Sequence, residues 1–349
     1  MRWEQAARVW EAYPRRALSR CTVCGSEATT AVCSASEIAV HQRFLQRFHR
    51  RRLKRTKRQT LADRAEFTQD DVTAIVECGG CGHVFRARRP DADDAVETYA
   101  GDTYGAERLA ALFDSQLEQF RRKLPRLRAL LAARAPRVAE IGSFVGGFLA
   151  AAGEAGWDAI GIDPGEEVVA FCRGRGLRVE RATAPEAAIA AGSMDAVVIW
   201  NTFDQLPDPR PTLAAARRWL RPTGVLALRV PNGRAFRAAI AAARDHSAIG
   251  RSPIFTALAW NNLLSFPYLQ GYTPASLDRL LAESGAHRVR YEPDVLTRLA
   301  DEHTKAWAAA EEWITKSAWR AVGRIDPHHA PWFDAYYAWP PNHDDTDRL

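Results

Sequence analysis

The chain has 349 residues, 47% of them hydrophobic, and a formal net charge of +6. The length allows one large and one small domain, and the apolar content supports a sizeable core. No apolar run approaches the roughly 18 residues of a membrane span, and the opening MRWEQAARVWEAYPRR lacks a signal peptide's apolar stretch, so the expectation is a soluble, cytoplasmic protein.

Residues 1–20 read as helical, with Trp3, Ala6, Ala7 and Trp10 on one face. The short, turn-rich CTVCGSEATTAVC follows. Residues 35–67 read as a long basic helix or helix pair: between Arg43 and Arg58 stand nine Arg or Lys residues and no acid, and without them the chain is mildly acidic. VTAIVECGGCGHVFRARRP reads as strand, knuckle, strand. The acidic DADDAVETYAGDTYG marks a boundary near residue 92, and 106–134 predicts an amphipathic helix with an interruption near Pro125.

From there strands alternate with helices. Strands are predicted at 137–141, 158–162, 177–180, 195–200 and 224–230, and helices at 147–155, 165–174 and 210–220. Short apolar strands alternating with helices predict an α/β fold, a doubly wound Rossmann-like and mainly parallel sheet. SGAHRVRYEPDVL suggests a further strand pair at the sheet edge. The expected organisation is a module over 1–92, a sheet domain over 93–299 with a cap at 232–275, and an aromatic-rich extension over 300–349.

Four of the six cysteines form two C-x-x-C-G knuckles, Cys21 with Cys24 and Cys78 with Cys81. A pair at that spacing wraps a turn around one cation, and the glycine tolerates the positive φ the turn needs. Two knuckles supply the four thiolates of a closed, structural zinc site, with the basic helix as an insertion between them. Cys33 and His83 are spare candidates for a ligand, Cys172 reads as core, and reduced cysteines without metal are the plain alternative.

After the first strand of the alternating region the chain reads EIGSFVGG. A dinucleotide site wants G-x-G-x-x-G, and Phe144 stands where the pyrophosphate needs its second glycine, which disfavours NAD or FAD. S-adenosylmethionine has no phosphate and needs a close turn with carboxylates nearby. Glu140 precedes Gly142 at the end of the first strand and suits an ammonium group. Asp163 ends the second strand and suits two ribose hydroxyls.

At this point EIGSFVGGFLAAAGEAGWDAIGIDP, DAVVIWNTFDQLPDPRPTLAAARRWLRPTGVLALRVPN and FPYLQGYTPASLDRLLAESG resemble class I S-adenosylmethionine-dependent methyltransferases, most of all a bacterial subgroup with an N-terminal zinc-binding segment. The resemblance covers roughly 95–292, and the knuckles extend it toward the N-terminus. It implies that Glu140, Gly142, Ser143, Phe144 and Gly146 line the methionine side of the cofactor. Asp163 would hold the ribose with Pro164 beside the adenine, Thr183 and Ala184 would flank the adenine, and Asn201, Thr202 and Phe203 would close the pocket near the sulfonium. Tyr99 and Tyr104 precede the sheet where relatives place aromatic residues over the cofactor. Gln205 stands where many relatives carry His, so an obvious acid–base group is missing.

Candidates for a base near the expected mouth are Asp204, His246, Tyr268 and Tyr272. N-T-F-D after the fourth strand replaces the N-P-P-Y of nucleobase N-methylation. The charge-free stretch from Ser252 to Ser276 in the cap suggests a small-molecule acceptor methylated on O or C. The alternative is a zinc-ribbon RNA methyltransferase gripping its substrate, or another anionic partner, through the basic insert 43–58. A third reading, a fold that binds without catalysis, is opposed by the intact Glu140 and Asp163.

Overall fold

The computed structural model describes residues 16–17, 20–54, 73–244, 253–264, 269–296, 298–300 and 303–340. In chain order the first elements are β1 (Arg16–Ala17), β2 (Thr29–Cys33), α1 (Ala35–Arg52), β3 (Ile75–Cys78), β4 (Val84–Arg86) and β5 (Arg88–Arg89). Then come α2 (Ala92–Gly101), α3 (Ala106–Arg128), β6 (Arg137–Ile141), α4 (Gly147–Glu154), β7 (Asp158–Asp163), α5 (Glu166–Gly174), β8 (Val179–Arg181), β9 (Met194–Trp200), α6 (Arg210–Trp219) and β10 (Leu220–Pro231). The last are α7 (Gly233–Arg244), α8 (Pro253–Trp260), β11 (Gln270–Gly271), α9 (Pro274–Ala282), β12 (His287–Asp294), α10 (Ala306–Ile325) and β13 (Trp332–Ala338).

Seven strands form the main sheet, in the order β12-β13-β10-β9-β6-β7-β8. The pairs β7–β8, β6–β7, β6–β9 and β9–β10 are parallel. β6 and β9 are neighbours, with β7 and β8 laid down on one side and β10 on the other. The winding therefore reverses between β6 and β9, which makes the carboxyl ends of these strands the topological switch point where such sheets bind ligands. Near-continuous apolar runs such as AVVIW and VLAL suit strands covered on both faces. Phe120, Leu124 and Leu127 of α3 and Phe148 and Leu149 of α4 pack with Val138, Ala196 and Val198 in one buried core.

Two details differ from the sequence expectation. α3 runs through Pro125 and ends at Arg128, and Ala129 N–H still donates to the Pro125 carbonyl at 3.1 Å. The expected edge pair is a single strand, β12, whose sheet neighbour β13 comes from residues 332–338. WFDAYYA is buried almost throughout, so its aromatic content serves a sheet strand rather than a loose extension.

The chain sorts into two compact units that are not consecutive blocks of sequence. The first comprises Met1–Asp91, Val230–Leu280 and Glu292–Asp334; the second comprises Ala92–Arg229, Leu281–Tyr291 and Ala335–Leu349. The first unit has its own antiparallel sheet, β11-β4-β3-β2. Its core joins Ile38, Leu45 and Phe48 of α1 with Phe236, Ile240, Phe255, Leu258, Trp260, Leu263 and Leu264. One change of unit falls at Asp91/Ala92, next to the expected boundary, but beyond it the units interleave at Val230, Leu281, Glu292 and Ala335 instead of dividing at 299. The stretch from Ser252 to Ser276 is free of charge, and many of its described residues, Phe255, Leu258, Trp260, Leu263 and Leu264 among them, are core of the first unit, which removes it as an argument for an apolar substrate chamber. Much of the predicted N-terminal helix and residues 55–72 of the basic segment lie outside the described residues. None of the described helices is long and apolar enough to cross a membrane.

Candidate active site and candidate metal centre

The turn after β6 is built by three left-handed residues in alternation: Gly142 at φ +72°, Phe144 at +46° and Gly146 at +75°. The missing glycine has therefore not changed the sense of the turn. Phe144 adopts a conformation that is uncommon for a bulky side chain, and the surroundings fix it. Its N–H donates to Asp163 Oδ2 at 2.8 Å, its carbonyl accepts the Cys172 thiol at 3.2 Å, and its ring meets Tyr104 edge-on at 5.1 Å. Tyr104 is itself held, because its N–H and that of Gly105 donate to the Glu167 carboxylate at 2.6 and 2.9 Å. A Cβ on Gly142 would collide with the Thr202 side chain, so the turns after β6 and β9 touch at this glycine.

Glu140 is 3% exposed, and its Oε2 meets no hydrogen-bond partner among the described residues. Burial, and then the charge of Asp163, push its carboxyl well above the ordinary range. Asp163 is also raised by burial, against the pull of its two backbone donors, Phe144 N–H and Gly165 N–H at 2.9 Å. Ser143 Oγ is buried beside them, also without a partner among the described residues. A cation placed here would lower the energy of both carboxylates.

On the other side of the switch point, Asn201 takes φ +56° after β9. Its Oδ1 accepts from Arg229 Nε at 2.9 Å, and its carbonyl accepts from Gln205 Nε2 at 2.6 Å. Phe203 is buried in the short 3₁₀ turn that follows. Asp204 in the same turn is 1% exposed, neither of its oxygens has a partner among the described residues, and burial pushes its carboxyl up to about 8. Pro164 follows Asp163, half-buried, and its carbonyl accepts from Arg181 Nε at 3.4 Å. Thr183 hydrogen-bonds Glu186 through its hydroxyl at 2.6 Å, and Ala184 is buried. The carbonyl of Tyr99 lies against Gly165.

Of the other base candidates, Tyr272 belongs to the first unit, where its ring lies 4.9 Å from that of His83. His246 and Tyr268 lie outside the described residues. Arg229 and Glu167 were not foreseen from sequence. Arg229 carried a signal, a lone charge inside the apolar strand VLALRV, and it is fully buried.

In the first unit the four knuckle thiols converge, every Sγ within 4.8 Å of the others. Cys21 and Cys81 are 3.7 Å apart, and Cys24 and Cys78 are 3.5 Å apart. A tetrahedral zinc with bonds of about 2.3 Å spaces its sulfurs by about 3.8 Å. Gly25 and Gly82 close the two turns at φ +73° and +68°. Val23 N–H points at Cys21 Sγ and Gly80 N–H at Cys78 Sγ, at 3.4 and 3.3 Å, donors that favour thiolates. The hydrogen bond from the Cys81 thiol facing it draws the Cys21 thiol down, while Cys81 is pushed up. The donor set fits zinc. The two spare ligands are not part of it: Cys33 is in the hydrophobic core, and His83 Nε2 pairs with Gln270 Oε1 at 2.8 Å.

The doubly wound sheet, reversing between β6 and β9, has the strand winding of a class I, S-adenosylmethionine-dependent methyltransferase. The chain belongs to that family: the methyltransferase domain model matches residues 113–289, just over half of it. Among solved structures, a methyltransferase from Archaeoglobus fulgidus described as dependent on S-adenosylmethionine is 17% identical, with TM-score 0.42, covering 63% of this chain and 93% of its own. The complex of the Trm112 methyltransferase activator with a methyltransferase of Haloferax volcanii matches at 16% identity and TM-score 0.45, covering 70% and 97%. The CcbJ methyltransferase of Streptomyces caelestis matches at 16% and 0.42, covering 63% and 89%. A search of curated proteins found no match.

Proposed function

We propose that the chain methylates an oxygen or carbon acid of a small metabolite, and that Asp204 takes the acceptor's proton. The observation that carries this reading is the buried carboxyl of Asp204, poised near 8 in the turn after β9, two residues beyond the Thr202 that touches Gly142. A base tuned close to the working pH is what abstraction from a hydroxyl or an activated C–H requires. S-adenosylmethionine, when bound, supplies the activated methyl group. Glu140, Gly142, Ser143, Phe144 and Gly146 would hold its amino-acid part, Asp163 and Pro164 its ribose and adenine, and Thr183 and Ala184 the far face of the base. Asn201, Thr202 and Phe203 would border the reacting end, with Arg229 fixing the orientation of Asn201. The chain's own contribution is then to position the reactants and take a proton.

Labelled methyl transfer, run separately against a small-metabolite extract and total RNA, tests the reading; label carried only by RNA would overturn it. Asp163→Ala is expected to weaken S-adenosylmethionine binding in calorimetry by about 1–3 kcal/mol, the scale of hydrogen bonds to a charged group. NAD should produce no heat. Four thiols in tetrahedral range support a structural zinc as a second resident group, held by Cys21, Cys24, Cys78 and Cys81.

A further inference from the structure

The first unit contains a feature that methyl transfer does not use. A groove of about 780 Å³ runs along α1, lined by Arg43, Arg47 and Arg51 together with Phe44, Lys305 and Trp307. The three arginines recur every four residues, so they form one row on one helix face. Each is exposed, and among the described residues none meets a carboxylate. Arg52 shows the contrast. It is clamped by both Glu311 oxygens at 2.6 and 2.9 Å, and its guanidinium lies 3.4 Å from the centre of the Phe48 ring. Arg52 is thus structural, whereas the row beside it meets no counter-charge among the described residues. Trp307 is 52% exposed in the same groove, with the Arg52 guanidinium 5.4 Å from its ring centre and the rest of the flat ring open to solvent.

We infer that this groove is a binding site for single-stranded nucleic acid. A rise of 1.5 Å per residue spaces the row at about 6 Å and extends it over about 12 Å. That spacing suits successive phosphates along a strand; the phosphates of a free polyphosphate sit closer together and would call for clustered arginines. A cationic track beside an exposed aromatic ring is the arrangement that grips a backbone and stacks a base without reading sequence. An acidic peptide would satisfy the arginines but leaves Trp307 unexplained. The site lies wholly in the first unit and stands whether the methyl acceptor is a metabolite or the strand itself.

The test is fluorescence anisotropy with a labelled oligouridylate of about twelve nucleotides, within the usual site size, titrated over a range of salt without S-adenosylmethionine. Binding is expected to weaken as salt rises. Arg43→Gln, Arg47→Gln and Arg51→Gln together should reduce the slope of log K against log salt by about 2, from about 0.7 per phosphate contact. Trp307→Ala should weaken binding several-fold and leave that slope unchanged, since stacking releases no counterions. Should the triple variant melt early, each single substitution reads the same effect at about 0.7. Failure of the oligonucleotide to bind, an unchanged slope in the arginine variants, undiminished binding in Trp307→Ala, or equal competition by uridine triphosphate would overturn the inference. Because Asp163→Ala leaves the groove intact, that variant should still bind the oligonucleotide, which separates this result from the fate of the cofactor site.

Discussion

Replacing Asp204 with Asn is expected to lower kcat by about 10²–10⁴-fold, the range that one proton-transfer group contributes, with S-adenosylmethionine affinity little changed. The pH profile carries the more specific expectation. A base with a carboxyl near 8 is mostly protonated at pH 6, so wild-type kcat should climb as pH rises and level off above about 8. Asp204→Asn should have no such limb. A fall in kcat with the limb retained would reduce Asp204 to a structural role and move the base elsewhere.

The same carboxyl makes a prediction about stability with the opposite dependence on pH. Its folded value, about 8, lies above the ordinary 3.8. Over that window the native state binds the proton more tightly than the unfolded chain does. The stabilisation is complete below about pH 4 and is lost as pH rises through about 8. Four units at about 1.4 kcal/mol each set a scale on the order of 5 kcal/mol. Measured against Asp204→Asn, wild-type protein should therefore lose ground in thermal melts between about pH 5 and 8. Activity that improves with pH while stability declines is the signature of one buried acid serving as the base.

The parts of the fold visible in sequence are those written in local pattern. The alternation of apolar strands and helices from 137 to 230 has a short period and a short reach, and the observed strands fall close to the expected ones. The knuckles were legible because ligand spacing is itself local. What escaped depends on distant partners. VTAIVEC pairs with TTAVC across the basic helix, but nothing local says that Gln270–Gly271 extends the same sheet. WFDAYYA reads as an aromatic tail until its strand neighbours are known. The charge-free stretch after Ser252 looks like a substrate cover and is in large part a core, because burial and ligand binding call for the same apolar residues. Phe144 was the opposite case. The residue type argued against the usual loop, yet a hydrogen bond donated to Asp163, one accepted from the Cys172 thiol and the Tyr104 ring hold it in glycine-like geometry.

Cys21→Ser should cost the first unit about 4 kcal/mol or more, because losing a structural metal ranks among the few single changes that large. The geometry gives the reason. Cys21 and Cys24 precede β2, Cys78 ends β3, and Cys81 lies between β3 and β4, so the four sulfurs join two strand-bearing segments separated by the basic helix. With a dication in place, the thiolates that the Val23 and Gly80 N–H groups favour are neutralised at close range. Without it, the same sulfurs either repel as thiolates or remain protonated at the cost of those donors. Elemental analysis should return about one zinc per chain, and a strong chelator should release it with a fall in melting temperature. The cofactor residues proposed above all belong to the second unit, which has its own core, so Cys21→Ser should still bind S-adenosylmethionine in calorimetry. Metal-free protein that melts at the same temperature as the purified chain would show that the knuckles are held by packing alone. Loss of cofactor binding in the variant would show instead that the second unit cannot hold its site without the first.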